Sequence, residues 1–98
     1  MELRFYVDPE TDQPHIFEHG VTEDEVRQVL SKPGEDRAGA EDSRVALGQT
    51  AAGRYLKVIY TRDPIGAGVF VITAFDLTGQ PLRAYRRRQR RGGKRRRR

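Results

Sequence analysis

The sequence predicts an α+β fold: a small antiparallel sheet of about four strands, with N-terminal helical pieces on one face and a basic C-terminal helix. Residues 55–61 (YLKVIYT) and 69–76 (VFVITAFD) hold the densest β-branched and aromatic content of the chain, which suits two central strands. Thr22-Glu23-Asp24-Glu25 is a helix start, with Thr22 as N-cap and Glu25 three residues on as its capping-box partner. The chain has 98 residues, enough for one domain with one modest core, so any functional site is expected on an open surface.

In chain order, residues 2–7 alternate Leu3, Phe5 and Val7 with Glu2, Arg4 and Tyr6, the pattern of a first strand with one buried face; Asp8-Pro9 stops it. Residues 14–20 (PHIFEHG) fit one helical turn presenting Ile16 and Phe17, closed by Gly20 in a left-handed C-cap. A helix over residues 23–31 follows, with Val26, Val29 and Leu30 on its apolar side and Val21 stapled to Val26; Lys32-Pro33-Gly34 ends it. Residues 35–43 are charged and small, and read as a surface loop. Residues 44–50 (RVALGQT) form the next strand, joined by Ala51-Ala52-Gly53 to the central pair in a hairpin. That register sets Ala46 and Gly48 beside Val58 and Leu56, shallow ground that a helix can approach.

Pairing Thr61 with Val69 puts Leu56, Val58 and Tyr60 on one face with Phe70, Ile72 and Ala74, and Tyr55, Lys57 and Ile59 on the other with Val71, Thr73 and Phe75. Both faces are largely apolar, so both need cover, from helices of this chain or from a sister subunit in a homodimer. After Thr78-Gly79-Gln80-Pro81 a last helical segment carries Leu82 and Tyr85 on its apolar side, and the GGKRRRR end past Arg91 is expected to be disordered.

Charge divides the chain at the same place. Residues 1–82 hold eight Lys/Arg against fourteen Asp/Glu, a net of −6, while residues 83–98 hold eleven basic residues and no acid. An acidic body (1–82) and a cationic C-terminal segment (83–98) follow, and the segment is the footprint for a polyanion such as RNA or the ribosome. It contains one aromatic, Tyr85, so contact is expected with phosphates and not with base sequence. Its plain alternative is a solubilising tail. There is no cysteine, and His15 and His19 lack further ligands at zinc-like spacing, so neither metal nor other cofactor is expected. No apolar run reaches the roughly 18 residues of a membrane span, and no basic, then apolar leader opens the chain, so a soluble, cytoplasmic protein without membrane contact is expected.

The landmarks His19-Gly20-Val21-Thr22-x-x-Glu25-Val26, Arg44-x-Ala46-x-Gly48-x-Thr50, Gly53-Arg54-Tyr55-Leu56-x-Val58-x-Tyr60, Val71-Ile72-Thr73-Ala74 and the Arg-rich stretch around Tyr85 come in the order of a known family. Over residues 15–91 the chain resembles the BrnT-like branch of the RelE/ParE toxin superfamily. The resemblance implies helices packed on an antiparallel sheet, a metal-independent ribonuclease activity, and a cognate antitoxin protein that holds it inactive. Cleaving RNA with its own 2′-hydroxyl takes a base, cations at the phosphorane and an acid for the leaving oxygen. Arginine suits the middle role because its fork matches phosphate oxygens.

Carried onto this sequence, Arg44 matches the arginine opening the family's second strand and Tyr85 the tyrosine of its C-terminal segment, with Lys57 as a further catalytic candidate. Arg54, Arg83, Arg86, Arg87, Arg88, Arg90 and Arg91 are the candidate nucleic-acid contacts. The chain departs from the pattern at Phe75, where an arginine is common, and at Pro81, where a glutamate is common, so Arg54, Lys57 or Arg83 would have to substitute or the copy is inactive. Each candidate also has a structural reading: Arg44 as a strand-edge arginine, Lys57 as a snorkelling lysine at a covered rim, Tyr85 as a core residue of the last helix. A non-catalytic relative that binds nucleic acid or a protein partner stands as the alternative function.

Overall fold

Thr22 opens helix α1 (Glu23–Ser31) in a complete capping box: its hydroxyl accepts the Glu25 N–H at 3.1 Å while the Glu25 carboxylate accepts the Thr22 N–H at 3.0 Å. Val21 and Val26, flanking the cap, are both fully buried, as a hydrophobic staple requires. In this computed structural model, which describes residues 1–96 and side-chain surroundings through residue 92, α1 lies on a mixed five-stranded sheet. The strands are β1 (Leu3–Phe5), β4 (Glu35–Ala38), β5 (Arg44–Gln49), β6 (Tyr55–Arg62) and β7 (Val69–Asp76), in the order β1-β7-β6-β5-β4. Two short strands, β2 (Val7–Asp8) and β3 (Gln13–Pro14), pair with each other outside it. Helix α2 (Gly79–Arg96) closes the described chain.

The structure corrects the expected sheet, loop and N-terminal helices. The sheet has five strands instead of four and is not wholly antiparallel, because β1 runs parallel to β7, Leu3 beside Val69. Residues 35–38 are an edge strand and not a loop: Glu35 pairs with Leu47 and Ala38 with Arg44. Their charged sequence carries no strand signal, and charge on an edge is what keeps other chains from pairing with it. The N-terminal helical part is one α-helix and one 3-10 turn, His15–His19, the latter ended by Gly20 at φ 68°. Ile16 of that turn is buried in the α1 core, whereas Phe17 faces out. Val7 also faces out, because the chain leaves the sheet after Phe5 to form the β2–β3 pair.

The β5–β6 register is the expected one, with Ala46 beside Val58 and Gly48 beside Leu56. A Cβ on Gly48 would lie 3.1 Å from Val29, so the flat ground does admit α1. The β6–β7 register is not: Thr61 pairs with Phe70, Tyr60 with Val71, and Ile59 with Thr73. Ile72 is left over as a β-bulge, which shifts the face of everything before it on β7. Val71 therefore joins Leu56, Val58 and Ala74 in the α1 core, while Phe70 turns to the opposite face and Ile72 is 36% exposed.

The main core lies between α1, the 3-10 turn and one sheet face, and contains Ile16, Val21, Val26, Val29, Ala46, Leu56, Val58, Val71 and Ala74. At roughly 1.5–3 kcal/mol for each large apolar side chain, this layer carries most of the stability. A smaller cluster, Leu47, Leu77 and Tyr85 with Val45, Tyr55 and Leu82 around it, joins α2 to the opposite face. Away from these residues that face is half-buried at Phe70, Thr73 and Phe75. The helix that begins at Gly79 continues to Arg96, past the point where order was expected to end; residues 97–98 of the expected disordered end lie outside the described residues. Among the described residues no helix is long and apolar enough to cross a membrane.

Candidate nucleic-acid interface

Leu82 and Tyr85, three residues apart, set the phase of α2 against the sheet. One turn further on, Arg88 grips the Glu35 carboxylate through two N–H groups at 2.5 and 2.8 Å, and Gln89 donates to the Gly34 carbonyl at 3.1 Å. With that side held, residues 83, 86, 87 and 90 fall at i, i+3, i+4 and i+7, a single stripe on the solvent side. Arg83, Arg86, Arg87 and Arg90 together line one surface depression of about 270 Å³. Among the described residues none of the four has a carboxylate within salt-bridge distance. Arg86 lies over the Tyr55 ring, 5.8 Å from its centroid. Arg91 is exposed on the same helix, whereas Arg88 is held by Glu35.

The three catalytic candidates do not converge. Arg44 shares strand parity with Ala46 and Gly48 and so projects on the α1 side, where its Nε donates to Asp36 Oδ1 at 2.9 Å and Nη2 to the Asp36 carbonyl at 3.1 Å. Tyr60 donates to the other Asp36 oxygen. Burial first, and then the hydrogen bond to Asp36 and its charge, pushes the Tyr60 phenol upward, while bonding to Asp36 keeps Arg44 charged. Lys57 and Tyr85 belong to the opposite, α2 side. Lys57 stands 5.8 Å from the Phe75 ring centroid, and Tyr85 is 4% exposed with its hydroxyl against Gly34. Burial, then the neighbouring Glu35 charge, raises the Tyr85 phenol pKa, which suits a core residue and opposes easy loss of its proton.

Arg54, partly exposed, is engaged by acids and carbonyls of the fold. It donates Nε to Asp76 at 2.7 Å and Nη1 to Glu25 at 2.9 Å and to the Gly20 carbonyl at 2.8 Å, with Nη2 3.3 Å from the His19 carbonyl. One guanidinium thus ties the β5–β6 hairpin to β7, to the start of α1 and to the end of the 3-10 turn. Bonding to Arg54 lowers the Asp76 pKa; for Glu25 the Thr22 N–H is the larger cause and Arg54 adds to it.

Two groupings were not anticipated. Gln49, Tyr55, Tyr85, Arg86, Gln89 and Arg90 line a cavity of about 390 Å³ between α2 and the β5–β6 hairpin. Helix spacing from Tyr85 to Gln89 and the alternation that puts Gln49 with Leu47 are the signals that could have found it. Asp8, His15 and Glu18 also meet, with His15 Nδ1 3.5 Å from Asp8 and 3.1 Å from Glu18, a donor set that could hold a divalent cation. Spacing along the sequence did not reveal it because Asp8 arrives through the β2–β3 pair.

Comparison with family models, with curated proteins and with solved structures finds no match to the chain.

Proposed function

We propose that this chain is a non-catalytic nucleic-acid-binding protein in which α2 grips a phosphate backbone, RNA being the expected polyanion. The observation that carries the reading is the stripe of Arg83, Arg86, Arg87 and Arg90, four neighbouring guanidinium groups without carboxylate partners among the described residues. Helical spacing of about 5–6 Å between adjacent stripe positions matches a run of phosphates, and each cation that meets one releases a condensed counterion. Arg88 and Arg54 are excluded from the contact set because Glu35, Glu25 and Asp76 hold them.

A toxin-like endoribonuclease, the activity the sequence resemblance implies, would need Arg44 and Tyr85 on one phosphodiester. Their placement on opposite sides of the sheet favours binding over cleavage. The test is a labelled single-stranded RNA incubated with the protein in chelator over a salt series, followed by anisotropy and by gel. Intact RNA with strongly salt-dependent binding is expected. Cleavage abolished by Arg44→Ala and by Tyr85→Phe would reinstate the nuclease, and absence of binding at low salt would overturn the proposal.

A further inference from the structure

Beside the arginine stripe lies the cavity of about 390 Å³, and the two are continuous, since Arg86 and Arg90 line both. Its size falls within the usual range for small-ligand sites, about 300–1,000 Å³. Its floor includes Tyr55, half-buried, whose ring is set by an edge contact from Tyr85 at 6.1 Å and 75°. The Arg86 guanidinium stands over that ring, so a planar aromatic face and a planar cation bound the same space. Gln49 and Gln89 each spend one N–H on a backbone carbonyl, of Gly53 and Gly34 respectively, both at 3.1 Å. Each keeps an amide oxygen and a second N–H for a ligand edge. No carboxylate is among the lining residues.

We infer that this cavity receives one unpaired nucleobase of the strand whose phosphates lie on α2, an inference that rests on the phosphate-gripping role proposed above. The base takes the place of the Arg86 guanidinium on the Tyr55 ring, releasing that cation to the neighbouring phosphate, and its edge meets the amides of Gln49 and Gln89. Stacking on a tyrosine tolerates any base, and glutamine amides can donate and accept, so the pocket selects strand state before sequence. A paired base cannot enter it, so single-stranded RNA is preferred over duplex.

The test compares a short oligoribonucleotide, its abasic counterpart with the same number of phosphates, and the corresponding duplex, by fluorescence anisotropy at one salt concentration. The base-bearing strand is expected to bind roughly tenfold tighter than the abasic one, the scale of one stacked base. Tyr55→Leu, which keeps apolar contact with the Leu47 cluster, should bring the two together, and Gln49→Ala, at the exposed end of β5, should narrow the gap; neither should alter the salt slope. Should Tyr55→Leu fail to fold by circular dichroism, Gln49→Ala carries the comparison. Equal binding of abasic and base-bearing strands to the wild type overturns the pocket and leaves the stripe standing. Failure of all three ligands to bind at low salt overturns the stripe as well.

Discussion

Replacing Arg83, Arg87 and Arg90 together by glutamine removes three of the four stripe cations while keeping a polar unbranched stem and near-equal helix propensity. None of the three touches the Leu82–Tyr85 seat of the helix, so the fold and the α2 docking should persist. Each phosphate contact on a single strand contributes about 0.7 to the slope of log affinity against log salt, so the triple variant should be flatter than the wild type by about 2. Over a fourfold rise in salt, roughly 50 to 200 mM, the affinity gap between the two proteins should then shrink by about 20-fold. The other basic residues of the C-terminal segment are common to both proteins and cancel in this difference, which isolates the stripe. Arg44→Gln, whose parent residue is spent on Asp36 on the α1 side, is the control for loss of an arginine charge elsewhere and should leave the slope unchanged. Parallel slopes for wild type and triple variant, or a slope change as large in the Arg44→Gln control, would refute the assignment of phosphates to α2.

Arg54→Met should cost about 1–2 kcal/mol in urea unfolding, since three partly exposed contacts to Asp76, Glu25 and Gly20 go together, with no change in RNA affinity. The same variant should change the acid limb of stability: Asp76 and Glu25 titrate below their ordinary values of 3.8 and 4.5, so their contribution is present above those values and lost as pH falls through the lowered ones. The wild type should therefore lose stability more steeply than Arg54→Met below about pH 4.5, and matching acid profiles would count against the Arg54 network. Gly34→Ala would place a methyl 1.9 Å from the Tyr85 hydroxyl, so it should destabilise by about 1–3 kcal/mol and weaken the docking of α2, detected as a changed near-ultraviolet tyrosine signal. Tyr85→Phe should unfold within about 1 kcal/mol of the wild type, while Tyr85→Ala should cost about 3–5 kcal/mol; RNA binding preserved in the phenylalanine variant marks the ring, not the hydroxyl, as the working part.

What the sequence made legible were features fixed by neighbours in the chain. The capping box needs only Thr22 and Glu25, and the β5–β6 register only a three-residue loop ending in Gly53, so both could be read locally. The misread parts depend on partners distant in sequence. Residues 35–38 become a strand only because β5 offers its edge, and β1 is parallel only because it lies along β7, neither of which leaves a mark on its own residues. The bulge at Ile72 was hidden for a related reason: alternation along 69–76 is apolar at nearly every position, so a slip by one residue changes faces without breaking the pattern.

The candidate site divides along the same line. Strand parity already placed Arg44 with Ala46 and Gly48, on the ground assigned to a helix, and Lys57 with Tyr55 on the reverse. Separation of the proposed catalytic groups was thus half-written in the alternation that located the core; the missing half was where the last helix docks. Leu82 and Tyr85 take the sheet-facing phase with Gln89, and with them turned inward the arginines at 83, 86, 87 and 90 fall on the flank and outer side of the helix. An acidic body would otherwise draw that cationic face onto itself. Arg88, set on the flank, takes Glu35 instead, so a residue outside the stripe meets the acidic body, and the four stripe guanidinium groups have no carboxylate partner among the described residues.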